Sequence, residues 1–375
     1  MPNETKSLVR KTPVILLTGF LGSGKTTLLR EVLTRDGWHD TAVLVNELGA
    51  VGLDQSLLHR AGGSTVVLEN GCVCCSIGDD LLTSLEDLFW QRLQRRIPSF
   101  SRVVIETTGL ADPGPIVDAL LSSGLVSERY SLASVWCTVD TTAGDAQFER
   151  HPECLAQAAC ADLIILTKTD LAEENGIDAL QSRLRAINPL AQFERAAKGM
   201  VPFATLEQAT QGEQVRLLPS VLPNAPASGI PKQAAAEPAD GAQPFPQYHA
   251  RVNTLVMKFI RPWPADSLRN AIEATLSRYG ENMLRMKGLV SVEGEAAPLV
   301  VQAVRSRLFP FEALKSSPET APESFLVCIS LGLPPEKIMQ EFRSHLDGSD
   351  PNFPRKSLLK PLGMNRGGLK PESGE

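Results

Sequence analysis

The first half of the chain repeats one pattern: a short, nearly continuous apolar run, a polar or glycine-rich turn, then a stretch with helical spacing. The apolar runs fall at residues 14–18, 42–45, 65–68, 103–105, 132–139 and 163–166. Runs this short, without polar alternation, suit strands buried on both faces of a parallel sheet. Between them, apolar positions recur at helical intervals over 25–34, 79–96, 115–122 and 177–187. The alternation predicts an α/β, three-layer domain with a mostly parallel sheet over residues 10–214.

The pattern breaks at 215–247, where seven prolines (Pro219, Pro223, Pro226, Pro231, Pro238, Pro244, Pro246) punctuate a stretch rich in Ala, Gln and Gly. Such a segment buries too little apolar surface to offset its ordering entropy, so it reads as a linker. Period-2 alternation resumes over 251–260, followed by a helix over 265–279 and strands near 289–292, 299–304 and 325–330. Pro334 and Pro335 open a last helix that reaches His345. Residues 248–346 thus form a smaller α+β domain, and 347–375, rich in Pro, Gly and Lys, are expected to be a disordered tail.

At 375 residues, with 43% apolar and 21% charged side chains, the chain is long enough for two buried cores. Its net charge of −6 argues against a surface built for nucleic acid or anionic lipid. The first residues, Met-Pro-Asn-Glu-Thr-Lys, do not read as a secretory signal, and no apolar run approaches the roughly 20 residues that span a bilayer, so a cytoplasmic location is expected. Of seven cysteines, Cys72, Cys74 and Cys75 lie within four residues, while Cys137, Cys154, Cys160 and Cys328 are scattered. The scattered four read as small buried apolar residues. In a reducing compartment the cluster reads as metal-binding or redox-active. The five histidines (His39, His59, His151, His249 and His345) are isolated and read as surface or packing residues.

Residues 19–26 read Gly-Phe-Leu-Gly-Ser-Gly-Lys-Thr, a P-loop that follows an apolar strand and opens a helix. Gly19, Gly22 and Gly24 let the backbone wrap a phosphate, and the amides of residues 22–25, with Ser23 among them, point at the anion. Lys25 is placed to reach the β- and γ-phosphates, Thr26 to ligate Mg²⁺, and Thr27 to extend the cradle. The strand over 103–105 ends in Glu106, followed by Thr107, Thr108 and Gly109. A carboxylate there can act in the Mg²⁺ shell or orient water, and the Gly109 amide can meet the γ-phosphate. Thr167-Lys168-Thr169-Asp170 follows the sixth apolar run and resembles the guanine-reading Asn-Lys-x-Asp of GTPases. Asp170 can accept hydrogen bonds from the base, whereas Thr167 in place of Asn is expected to weaken the loop-bracing contact.

Glu69-Asn-Gly-Cys72-Val-Cys74-Cys75 places three thiols in one loop, a donor set for a borderline-soft cation. Asn46-Glu47-Leu-Gly-Ala-Val-Gly-Leu-Asp54, directly after the second strand, fits a switch loop. Glu47 there is a candidate both for the catalytic site and as a further metal ligand beside Cys72, Cys74 and Cys75. A P-loop small-molecule kinase and a redox-sensing nucleotide-binding protein remain alternative readings of these motifs.

Taken in order, residues 19–27, 46–54, 69–75, 106–109 and 167–170, with Leu284-Arg-Met-Lys-Gly-Leu289 in the second domain, resemble the CobW-type P-loop GTPases and metallochaperones. The resemblance implies a GTP phosphohydrolase that uses Mg²⁺ and couples hydrolysis to delivery of Zn²⁺ or Co²⁺. The recipient it implies is a client metalloprotein or a cobalamin-synthesis enzyme. The client's identity and any homo-oligomeric state stay open, and neither nucleic acid nor membrane is an expected partner.

Overall fold

The computed structural model describes residues 11–45, 66–69, 77–121, 124–202, 205–207, 252–259, 261–314, 324–346 and 360–361. These divide into two compact units, one built round a parallel sheet and the other round an antiparallel one.

The first sheet contains β1 (Thr12–Gly19), β2 (Thr41–Val45), β3 (Val66–Glu69), β4 (Arg102–Glu106), β5 (Tyr130–Asp140), β6 (Leu163–Thr167) and β7 (Gln192–Arg195). Their order across the sheet is β3-β2-β4-β1-β5-β6-β7, and every pairing is parallel. All seven carboxyl ends therefore lie along one edge. The helices between them are α1 (Lys25–Leu33), α2 (Ile77–Leu93), α3 (Pro113–Leu121), α4 (Leu125–Arg129), α5 (Gly144–Arg150), α6 (Pro152–Cys160) and α7 (Glu174–Ile187).

Helix α1 shows why the layers hold together. Lys25, Leu28, Leu29, Val32 and Leu33 recur at i, i+3, i+4, i+7 and i+8, and all are buried. The four apolar members pack on Ile15 and Leu17 of β1, Val43 of β2, Val104 of β4, Trp136 of β5 and Leu163 and Ile165 of β6. Each such side chain contributes roughly 1.5–3 kcal/mol by leaving water. The same stripe therefore pins the helix whose first residue is Lys25 to the strand that delivers the P-loop.

The second unit pairs β8 (Val252–Phe259), β9 (Met283–Val290), β10 (Leu299–Val304), β11 (Arg307–Leu308), β12 (Glu312–Ala313), β13 (Ser324–Leu331) and β14 (Lys360–Pro361). The order is β11-β10-β9-β13-β8-β14, with β12 also on β10, and all neighbours are antiparallel. Helices α8 (Ala265–Tyr279) and α9 (Pro335–Leu346) close its core through Leu268, Ala271, Ile272, Ile338 and Phe342. Residues 284–289, singled out by the family resemblance, lie inside β9.

Several features depart from the sequence pattern. The sequence pattern carries no signal for strands β7, β11, β12 and β14 or for helices α4, α5 and α6, and β9 begins at Met283 rather than near 289. The switch loop at 46–54, the cysteine loop at 70–75, the linker at 215–247 and most of the tail at 347–375 lie outside the described residues.

Candidate functional site

At the carboxyl edge, β1 turns into α1 through the glycine-rich loop. Gly19 has φ 137°, and a Cβ there would sit 2.4 Å from the Thr138 carbonyl oxygen of β5. Both the left-handed backbone and the close approach require glycine. Lys25 is buried, and its Nζ donates to the Gly19 and Phe20 carbonyls at 2.9 and 3.2 Å, so the ammonium sits in the mouth of its own loop.

The loop is held from behind by hydroxyl groups. Ser23 Oγ and Thr138 Oγ1 share a 2.6 Å hydrogen bond, and Thr138 Oγ1 also reaches the Thr18 carbonyl at 3.3 Å. Thr167, at the end of β6, donates to the Ser23 carbonyl at 2.7 Å and lies 3.2 Å from the Val139 carbonyl. The bracing contact that threonine was expected to weaken is thus present, made by a short hydroxyl in place of an amide.

Beside the P-loop, β4 ends in Glu106, which is 1% exposed. Thr26 Oγ1 donates to Glu106 Oε1 at 2.6 Å. Because the hydroxyl proton is committed to the carboxylate, the lone pairs of Thr26 are directed away from Glu106. A hydroxyl and a carboxylate are hard oxygen donors of the kind that suit Mg²⁺, so these residues fit that ion. The following loop packs directly on the P-loop: a Cβ on Gly109 would lie 2.5 Å from the Leu21 amide nitrogen. Gln157 of α6 fixes that loop, its Nε2 donating to the Gly109 and Ala111 carbonyls at 3.1 and 3.0 Å.

On the other side, the turn after β6 presents Asp170 to solvent, while Lys168 Nζ pairs with Asp140 at 2.6 Å. The segment after β7 lies against this turn, since the Thr169 amide and hydroxyl donate to the Ala196 carbonyl at 3.3 and 3.2 Å. Its Gly199 approaches the first turn of α1, where an added Cβ would be 3.1 Å from the Thr27 carbonyl oxygen. Residues 196–199 and Asp140 therefore join the site, although neither belongs to a recognisable sequence motif. The structure brings Gly19, Gly22, Ser23, Gly24, Lys25, Thr26 and Thr27 together with Glu106, Gly109, Thr167, Lys168 and Asp170 along one edge. Glu47, Cys72, Cys74 and Cys75 lie outside the described residues.

The sheet order also fixes where their loops leave the fold. Val45, the last residue of β2, is in register with Glu106 on one side and Glu69 on the other. β2 therefore ends next to Glu106 and β3 ends next to β2, one strand further along the same edge.

A parallel sheet with a P-loop on its central strand, a buried acid on the neighbouring strand and an exposed acid after β6 defines a P-loop nucleotide-binding protein. Residues 13–195 match the CobW/HypB/UreG nucleotide-binding domain, and residues 252–346 match the cobalamin synthesis protein CobW C-terminal domain. The zinc chaperone YjiA of Escherichia coli is 33% identical over 329 residues, covering 88% of this chain and 97% of that protein. The zinc chaperone CobW of Pseudomonas aeruginosa is 26% identical over 373 residues, covering 90% of this chain and 92% of its own. The crystal structure of Zn(II)-bound YjiA GTPase from Escherichia coli aligns with a TM-score of 0.65 at 28% identity, covering 89% of this chain and 99% of that one. The chain belongs to the CobW/HypB/UreG family.

Proposed function

We propose that this protein is a GTP-hydrolysing metallochaperone that carries Zn²⁺ or Co²⁺ on Cys72, Cys74 and Cys75, with Glu47 as a further ligand, and passes the ion to a client metalloprotein. The observation that carries the reading is the register of Val45 with both Glu69 and Glu106. Glu47 follows β2 by two residues and Cys72 follows β3 by three, so the first segment starts next to Glu106 and the second starts one strand further along the same edge. The names of the relatives, zinc chaperones and a Zn(II)-bound GTPase, support the same reading.

In this reading Lys25 turns from the Gly19 and Phe20 carbonyls to phosphate oxygens, and the amides of residues 22–25 stabilise the charge that develops during phosphoryl transfer. Thr26 would hold Mg²⁺ directly, with Glu106 behind it accepting the Thr26 hydroxyl proton, and the ion would neutralise charge on the phosphates. Glu106 orients attacking water through the same carboxylate, and the Gly109 amide meets the γ-phosphate. Asp170 accepts from the guanine N1 and N2 donors, with Thr167 and Lys168 holding its turn. Residues 10–214 and 248–346 act as the working domains, joined by 215–247, in a cytoplasmic protein; no helix among the described residues is long and apolar enough to cross a membrane.

The test is competition titration of Zn²⁺ with no nucleotide, with GDP, and with a non-hydrolysable GTP analogue. If nucleotide and metal share one geometry, linkage requires each to tighten the other by the same factor, about 5–150-fold for a coupling of about 1–3 kcal/mol. Cys74→Ser weakens metal binding in all three states, whereas Glu47→Ala chiefly shrinks the difference between them. Identical metal affinity across the three states overturns the coupled mechanism.

A further inference from the structure

Asp140 ends β5 in register with Thr167 at the end of β6, and its side chain is 6% exposed. Both carboxylate oxygens are engaged. Oδ2 accepts from Lys168 Nζ at 2.6 Å, and Oδ1 accepts from the Thr142 amide at 2.8 Å and the Thr142 hydroxyl at 2.7 Å. Burial opposes the charge most strongly, yet the bonds from Lys168 and Thr142 together with the ammonium charge outweigh it and hold the carboxyl below the usual aspartate range. Thr141 ties the same segment to the next strand, its amide and hydroxyl donating to the Thr167 carbonyl at 3.1 and 2.8 Å.

Lys168 itself is in the left-handed region, with φ 57°. A non-glycine residue there is strained and persists only where its surroundings hold it. The turn closes with the Leu171 amide donating to the Lys168 carbonyl at 2.9 Å, and it is this turn that displays Asp170. An unbroken series of bonds therefore runs from the rigid end of β5, through the carboxylate, to the strained residue beside the base-reading acid.

We infer that Asp140 is a positioning residue for guanine recognition: its ion pair with Lys168 holds the 167–170 turn so that the Asp170 carboxylate faces the Watson–Crick edge of the base. The inference rests on the reading of Asp170 as the guanine acceptor. Adenine offers no donor pair to Asp170, so a misplaced turn costs guanine nucleotides their advantage and leaves adenine nucleotides nearly unaffected. A merely structural Asp140 would affect both bases alike.

The experiment measures affinities for fluorescent GDP and ADP in the full chain and in Asp140→Asn, Thr142→Val and Asp170→Ala. Asp140→Asn keeps an oxygen for Thr142 and loses the charge that faces Lys168. Its GDP affinity is expected to fall about tenfold and its ADP affinity less than twofold, shrinking the preference by the ratio. Thr142→Val is isosteric at an exposed position and removes only the hydroxyl bond to Oδ1. It is expected to move the preference in the same direction by about two- to threefold, and it decides the matter should Asp140→Asn fail to fold. If Asp170→Ala abolishes the preference while the other two variants lose affinity for both bases equally, or keep the wild-type preference, the positioning role is overturned. If Asp170→Ala itself retains the preference, the reading of the base site has failed instead.

Discussion

The hydroxyl of Thr26 and the carboxylate of Glu106, 80 residues apart in sequence, meet at 2.6 Å. The contact links the first turn of α1 to the end of β4, and it commits the hydroxyl proton while leaving the oxygen lone pairs open toward a cation. Glu106→Gln preserves the shape and an acceptor oxygen but removes the charge. GTP turnover is expected to fall about 10²-fold, in line with the loss of one preorganised electrostatic group. Steady-state phosphate release at saturating Mg²⁺ checks this, and unchanged turnover would remove Glu106 from the catalytic site.

Thr167 offers a test of loop bracing. Its hydroxyl serves two buried carbonyls, of Ser23 and Val139. Thr167→Val keeps the shape and leaves those carbonyls short of a donor, a loss of about 1–3 kcal/mol. Urea unfolding should show that loss together with weaker GDP binding, and Thr167→Ser should restore most of both. Full stability in the valine variant would mean that the P-loop is braced without this hydroxyl.

How much of this was legible beforehand depends on how local each signal was. Lys25, Thr26, Glu106 and Asp170 are legible because each belongs to a short polar or glycine-rich motif that directly follows an apolar run. Strand β7 was hidden because Gln-Phe-Glu-Arg is partly exposed at every position and carries no apolar run. Strand β9 was cut short because Arg285 and Lys287 interrupt its apolar pattern, although Arg285 is buried in the sheet. Asp140 could not be singled out, because its partners are a lysine 28 residues away and a threonine whose turn is formed only in the folded chain. The compensation of Asn by Thr167 was likewise a matter of distance to Ser23, which spacing along the chain does not encode.

Gly109 separates two uses of a small residue. Its Cα lies so close to the P-loop that an alanine methyl would meet Leu21 backbone atoms at 2.5 and 2.7 Å. Backbone cannot yield as a flexible side-chain end can, so Gly109→Ala should displace one loop from the other and cost about 1–3 kcal/mol, as overpacking does. GTP turnover should suffer more than GDP affinity, because only the γ-phosphate is proposed to meet this loop. Equal losses in the two measurements would place the role of Gly109 in packing alone.

Cys137, Cys154, Cys160 and Cys328 form no disulfide among the described residues and are at most 4% exposed. Burial, aided by the neighbouring Glu153 charge and only partly offset by a backbone hydrogen bond, pushes the Cys154 thiol up to about 12. Burial alone raises Cys328 as well. Only the thiolate attacks a disulfide reagent, so buried thiols with raised values react slowly at mildly alkaline pH, at a rate set by local opening of the fold. Subtracting these four from the seven in the chain leaves Cys72, Cys74 and Cys75. Under anaerobic conditions at about pH 8, near an ordinary thiol value of about 8.5, the native metal-free protein should show three fast thiols and four slow ones. Raising the pH by one unit should accelerate the fast class several-fold and scarcely alter the slow class. One equivalent of Zn²⁺ should move all three fast thiols into the slow class, because a coordinated thiolate is no longer free to attack. Zn²⁺ protection that fails while three thiols remain fast would separate the cysteine cluster from metal carriage and favour redox chemistry at the same residues.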